Sequence, residues 1–172
     1  DNSLQQEAIG FFGVNLIYGA FHFRDAPDAF IKSLADNVGH GRIEVDMIEF
    51  NGPDFENVDN RILSLKLVEA GLTEAVMFDQ NGRVEQPAET LYKKSCLIER
   101  GSLRPLTKVN VDMLEKAQAQ FIKREDVDSN HVKVFMELTL STLGSSEGEI
   151  GHADCLARID CINACGYDVL VS

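Results

Sequence analysis

The sequence predicts an α/β fold, with strands and helices alternating around a largely parallel sheet in Rossmann-like layers. Three observations carry that expectation. Some segments repeat apolar residues at helical spacing, as Phe30, Leu34 and Val38 do. Others are short apolar or alternating runs, of which "VKVFMELTL" (132–140) is the strongest. The two kinds of segment alternate four times along 172 residues, the signature of a layered α/β architecture. That length suits one domain with a core of its own, so residues 1–172 are expected to form a single α/β domain. Asp1 in first place and the apolar "YDVLVS" in last suggest an ordered part of a longer chain.

Each element has its own signal. Residues 3–21 are apolar and too long for a strand, which favours a helix, and the overlapping stretch 8–23 reads as buried core. Asp25 is placed to cap a helix that Pro27 begins and Gly39 or Gly41 ends. "RIEVDMIEF" (42–50) alternates and predicts a strand with one wet face. After an Asn-Gly-Pro loop, Asp59 caps a helix over 60–70 that Gly71 stops. "TEAVMF" predicts a strand, "DQNGR" a tight turn, and "RVEQ" an antiparallel return. Pro87 starts a brief helical turn, "SCLIER" is a strand, and Asn110 is expected to cap a helix running to Lys123. The strand 132–140 then leads through a Ser/Gly loop into a helix opened by Gly151 and His152, and a last apolar strand follows.

Charge narrows the function. Sixteen Lys and Arg against 28 Asp and Glu give a net charge of −12. So acidic a surface repels phosphate backbones and anionic lipid, and no basic cluster is longer than Lys93-Lys94. Nucleic-acid binding is therefore not expected. The stretch 8–23 is broken by Gly10, Gly13, Asn15 and Gly19 and falls short of the roughly 20 residues of a membrane span, so no membrane insertion is expected either. Three of the four cysteines, Cys155, Cys161 and Cys165, share one predicted helix, which disfavours a disulfide framework. A soluble protein of a reducing compartment, the cytoplasm or a plastid stroma, is expected.

In parallel sheets, ligands sit beyond the carboxyl ends of the strands. That rule collects Asn51 and Asp54 after the first strand, Arg100, Ser102 and Arg104 in and around "GSL" after another, and the stretch from Ser141 to His152, with Ser145, Ser146, Gly151 and His152, after a third. Guanidinium groups, hydroxyls and a helix N-terminus together suit a small anion. The Walker pattern is absent for want of a Lys, and no Gly-x-Gly-x-x-Gly occurs. Glu147 and Glu149 would face an approaching phosphate, so a plain connecting loop stands beside the anion reading. His152, Cys155, Cys161 and Cys165 diverge around one helix, at about 100° per residue, and are expected to pack rather than bind a metal. No motif names a cofactor or a catalytic residue.

Two resemblances bear on these residues. The strand, glycine-led turn and helix around "GEIGHADCLARIDCINACGYDVLVS" resemble the adenylyltransferase superfamily, with Gly151-His152 as the second half of its His-x-Gly-His motif. Glu149 stands at the first His position, where a carboxylate cannot donate to a phosphate. More widely, "FFGVNLIYGAFHFRDAP", "GRIEVDMIEFNGPDFENVDNRILSLKLVEAGLTEAVMF", "QPAETLYKKSCLIERGSLRP" and "VNVDMLEKAQAQF" resemble a family of long bacterial and plastid proteins. Its members are often labelled nicotinate-nucleotide adenylyltransferase or TonB-dependent receptor. The resemblance implies a longer chain of the same fold and no particular reaction: the receptor label would require a succession of barrel strands, and the transferase motif is incomplete. The expected function is thus a binding or interaction module, whose partner is another protein or further segments of its own chain. The alternative is a nucleotide- or phosphometabolite-handling enzyme of nucleotidyltransferase type with a degenerate motif.

Overall fold

The computed structural model describes residues 2–39, 41–140 and 151–172. In chain order these form α1 (Asn2–His22), α2 (Pro27–Ser33), a 3-10 turn (Pro53–Phe55), α3 (Asn60–Glu69), β1 (Val76–Phe78), β2 (Val84–Glu85) and α4 (Pro87–Thr90). Then come β3 (Ser95–Arg100), α5 (Lys108–Phe121), β4 (Val132–Leu138), α6 (His152–Ala164) and β5 (Asp168–Val171). The chain divides into two compact units, Asp1–Glu74 and Ala75–Ser172.

The first unit is built on helices. Phe30, Ile31 and Leu34 meet Leu63, Leu67 and Leu72 in one cluster, with Phe12, Val45, Ile48 and Phe50 against it. At α1 only Ala8 and Gly19 are buried, so the expectation that this apolar stretch is core does not hold. Leu4, Ile9, Phe11, Val14, Ile17 and Phe21 are exposed. Ala8, Asn15 and Gly19 are on the side of the helix that turns inward, with Phe12 beside them. A Cβ on Gly19 would lie 2.9 Å from the Phe30 ring, and the neighbouring Asn15 donates to the carbonyls of Leu34 (3.1 Å) and Asp36 (2.6 Å). Those bonds satisfy carbonyls that the end of α2 leaves open.

Two more expectations fail here for physical reasons. Asp25 does not cap α2, which starts from Ala26 without a side-chain cap and ends early, Asn37 taking φ +57°. The strand expected over 42–50 stays an extended segment outside any sheet. A strand needs a neighbour to complete its ladder. This segment has instead a bond from Val45 N–H to the Leu72 carbonyl (2.8 Å) and a side-chain substitute, Asn60. The Asn60 amide accepts from Phe50 N–H (2.8 Å) and donates to the Phe50 carbonyl (3.2 Å), as a neighbouring strand would. Asp59 caps α3 as expected, accepting from Arg61 N–H (2.9 Å), and Gly71 follows the helix at φ +66°.

The second unit is a five-stranded sheet in the order β2-β1-β5-β4-β3. β3, β4 and β5 run parallel, whereas β1 pairs antiparallel with both β5 and β2. The sheet is therefore mixed, not largely parallel. The Asp79–Arg83 turn sends the chain straight back from β1 into β2. Asp79 fixes the turn by accepting from the N–H groups of Asn81 and Arg83, both at 2.8 Å. α5 links β3 to β4, and α6 leads into β5. Thr107, not Asn110, caps α5; Asn110 is the reciprocal partner of a capping box, and it also donates to Glu99 of β3 (3.2 Å).

The register sorts side chains to two faces. Val76, Phe78, Met136, Leu138, Val169 and Val171 share one face and are all buried. On the other, Met77, Phe135 and Leu170 form a smaller cluster. Charged pairs flank it. Lys133 meets Asp168 at 2.8 Å and Glu85 at 3.1 Å, and Arg100 meets Glu137 at 2.7 Å.

Replacing Asn60 by Ala removes both substitute ladder bonds and leaves the backbone of Phe50 without them. Asn60→Ala is expected to cost about 1–3 kcal/mol in urea unfolding, with little change in helix content by circular dichroism.

Candidate functional site

The carboxyl ends of the three parallel strands converge on a rim. β3 delivers Arg100 and the loop 101–106, β4 leads towards the segment 141–150, and α6 begins at His152 after Gly151. Of the residues chosen from sequence, Arg100, Arg104, Gly151 and His152 are described; Ser145 and Ser146 lie outside the described residues. Arg104 and α6 are brought together, since the Arg104 guanidinium lies 3.6 Å from Asp154 in the first turn of that helix. Arg100 is engaged elsewhere, with Glu137 of β4.

Each arginine meets a carboxylate. Arg100 grips Glu137 with two bonds, Nε to Oε2 at 2.8 Å and Nη2 to Oε1 at 2.7 Å. Ser172, just past β5, donates its hydroxyl to the same carboxylate at 2.7 Å. Glu137 is almost completely buried, while the Arg100 side chain is largely exposed. The hydrogen bonds from Arg100 hold the Glu137 carboxyl below the ordinary glutamate range, against the opposing effect of burial, and Ser172 assists.

Arg158 is the second clamp and the one that sequence reasoning missed. It is buried on α6 and bonds Asp154 with Nη2 and the Ser102 carbonyl with Nη1 (3.1 Å). Its Nε, also buried, makes no hydrogen bond within the described residues. The loop it holds contains Leu103, buried and at φ +43°, a conformation costly for a branched side chain. The i, i+4 spacing of Asp154 and Arg158 was a visible signal for the pair. Nothing in the sequence pointed from α6 to Ser102. Glu137 had a signal too, as the one acid in an apolar strand.

The rim can therefore hold a shaped loop and a balanced set of charges. Anion binding there would compete with Glu137 and Asp154 for the guanidinium groups. His152 is half-buried, and Cys155 one turn later is fully buried. Among the described residues no group of three or more His, Cys, Asp or Glu is placed to hold a metal ion. All four cysteines carry free thiols.

Clefts occur in the first unit as well. One, of about 440 Å³, is lined by Arg24, Asp25, Asp28, Asp54, Asp59 and Lys66. Its cations are also matched, Lys66 to Asp28 at 2.6 Å and Arg24 to Asp25 at 3.6 Å. Another, of about 500 Å³, runs between 41–44 and 71–74. Asp54, which the rule of strand ends collects, lines the first of these clefts. No helix among the described residues is long and apolar enough to cross a membrane.

The depressed Glu137 carboxyl has a pH signature. Its contribution is complete above the ordinary glutamate value of 4.5 and fades as pH falls through the lower folded value. Wild-type protein is expected to lose more stability between pH 6 and pH 3 than Glu137→Gln, read from paired urea titrations. No protein-family model, curated protein or solved structure matches the chain.

Proposed function

We propose that this α/β chain is an interaction module whose α1 helix binds a protein surface. One observation carries the reading. α1 presents Ile9, Phe11, Val14, Ile17, Tyr18 and Phe21 to solvent, with exposures from 41% to 80%. A contiguous apolar surface of that kind is a binding surface in most proteins that keep one. The rim supports the same reading indirectly, because its guanidinium groups already have carboxylate partners.

A second reading, handling of a nucleotide or phosphometabolite, is favoured by Arg104 and Arg158 lying with the N-terminus of α6 in one loop system. The resemblance of Gly151-His152 to half of an adenylyltransferase motif points the same way. It requires Asp154 to release its arginines to the ligand.

Two measurements separate the readings. With a photo-crosslinking phenylalanine analogue at position 17, adducts to one protein species are expected in the native host, and few from position 5 on another side of α1. Absence of any protein adduct at 17 would remove the interaction reading. Calorimetric titration with ATP, nicotinate mononucleotide and pyrophosphate is expected to give no heat. Micromolar binding that disappears in Gly151→Asp and His152→Ala would establish the second reading instead.

A further inference from the structure

The geometry points to a second copy of this chain as the partner, the two α1 helices packing antiparallel about a two-fold axis. This rests on the reading of α1 as a protein-binding surface and adds the identity of the occupant.

Spacing comes first. Gly10, Val14, Ile17 and Phe21 follow one another at steps of 4, 3 and 4 residues, the rhythm of a helix-pairing seam. At about 100° per residue they fall within roughly 60° of one another. Ala8, Asn15 and Gly19, which turn towards the unit's own interior, lie on the far side. The seam is thus continuous over three turns and points away from the unit's core.

Shape comes second. At Gly10 and Gly13 a Cβ would meet nothing within 4 Å, so each leaves a notch in the helix surface. Phe21 and Tyr18 are the large rings of the same surface, 80% and 54% exposed. In an antiparallel pair with Val14 opposite Ile17 of the second copy, Gly10 falls opposite its Phe21. Because the axis is two-fold, this ring-and-notch contact occurs twice, the self-complementarity that an isologous contact requires. A lipid surface has no use for such a register.

Charge and area agree. Glu7 and His22 are the only acid and the only basic residue in α1; Glu7 continues the seam's rhythm one step before Gly10, and no charged side chain stands on the seam between Gly10 and Phe21. A helix without Lys or Arg, on a chain of net charge −12, is a poor ligand for an anionic bilayer. Between Gly10 and Phe21 the seam holds no charge, so two copies approach there without burying an ion. At roughly 150–200 Å² per large apolar side chain, the exposed parts of Phe11, Val14, Ile17, Tyr18 and Phe21 come to about 600 Å². Two copies would hide about 1,200 Å², the lower end of specific interfaces, which fits a dimer of micromolar strength.

Sedimentation velocity of the whole chain over about 1–200 µM tests this directly. Wild-type protein is expected to shift from monomer to twice the monomer mass. Ile17→Glu, which puts a charge in the seam without disturbing the unit's interior, is expected to stay monomeric with unchanged circular dichroism. Gln5→Glu, off the seam, is expected to dimerise as wild type does. The double variant Gly10→Ala, Gly13→Ala separates packing from helix propensity. Alanine favours the helix, so the urea midpoint of the monomer should rise, yet filling the notches should weaken the dimer tenfold or more. Dimerisation that survives Ile17→Glu, or that strengthens in the double alanine variant, would overturn the antiparallel pairing.

A wild-type chain monomeric throughout would overturn the second copy as partner. The crosslink at position 17 then tells the two levels apart. An adduct to a different protein leaves the interaction reading in place, and no adduct removes both. Co-sedimentation with phosphatidylcholine–phosphatidylglycerol vesicles, lost in Ile17→Glu, would replace the protein partner by a lipid surface.

Discussion

β4 can occupy the middle of the parallel strands only if its one carboxylate, Glu137, is satisfied inside the protein. The strand is buried over its last four residues, and an ionised glutamate there without partners would be a heavy cost. Its neighbours remove that cost. Arg100 arrives from β3 in register with Glu137, and Ser172 arrives from the end of β5. The carboxylate therefore ties three strands at one end, where backbone pairing alone would fray. Gly101 N–H to the Glu137 carbonyl (3.2 Å) and Leu140 N–H to the Ser172 carbonyl (2.7 Å) continue the ladder past the strand ends. The rim's geometry follows from this one charge, because the loop 101–106 leaves β3 from the residue that holds it.

Lys133 plays the matching part at the opposite end. It stands between Asp168 at the start of β5 and Glu85 on β2, and those contacts hold its ammonium above the usual lysine range although burial alone would lower it. A lysine on one of the most apolar strands is thus explained by two carboxylates, one from the neighbouring strand and one from the hairpin. The pair of ionic ties, one at each end, frames the apolar cluster of Met77, Phe135 and Leu170. That arrangement also gives the sheet's second face a mixed character, which a purely apolar parallel strand would lack.

The sequence was most readable where a signal was local. Asp59 before α3, Gly71 after it, the Asn-Gly turn before β2 and the apolar runs of β4 and β5 each depend on residues within a few positions. The alternation in 42–50 misled because period-two spacing records which side chains turn inward, not whether a neighbouring strand exists. Asn60 supplied the hydrogen bonds instead, and nothing local could show that. Apolar content misled at α1 in the same way: it identifies the helix, while Gly19 and Asn15 determine that its small and polar side is the one used. At the rim, the rule of strand ends named both Arg104 and the start of α6, and a 3.6 Å contact from Arg104 to Asp154 joins them. Arg158 and Glu137 needed the tertiary register, since their partners lie 56 and 37 residues away.

The antiparallel β2 has a consequence for how such chains can associate. It is two residues long and forms one edge of the sheet. An incoming strand would find almost no ladder there to extend, and short edges of this kind discourage strand addition. β3, at the other edge, has six residues. A sheet that can accept a new strand on only one side can form a closed pair but cannot grow, because fibre growth needs every added chain to present a fresh template. The two residues of β2 thus act as a chain terminator for edge-to-edge stacking.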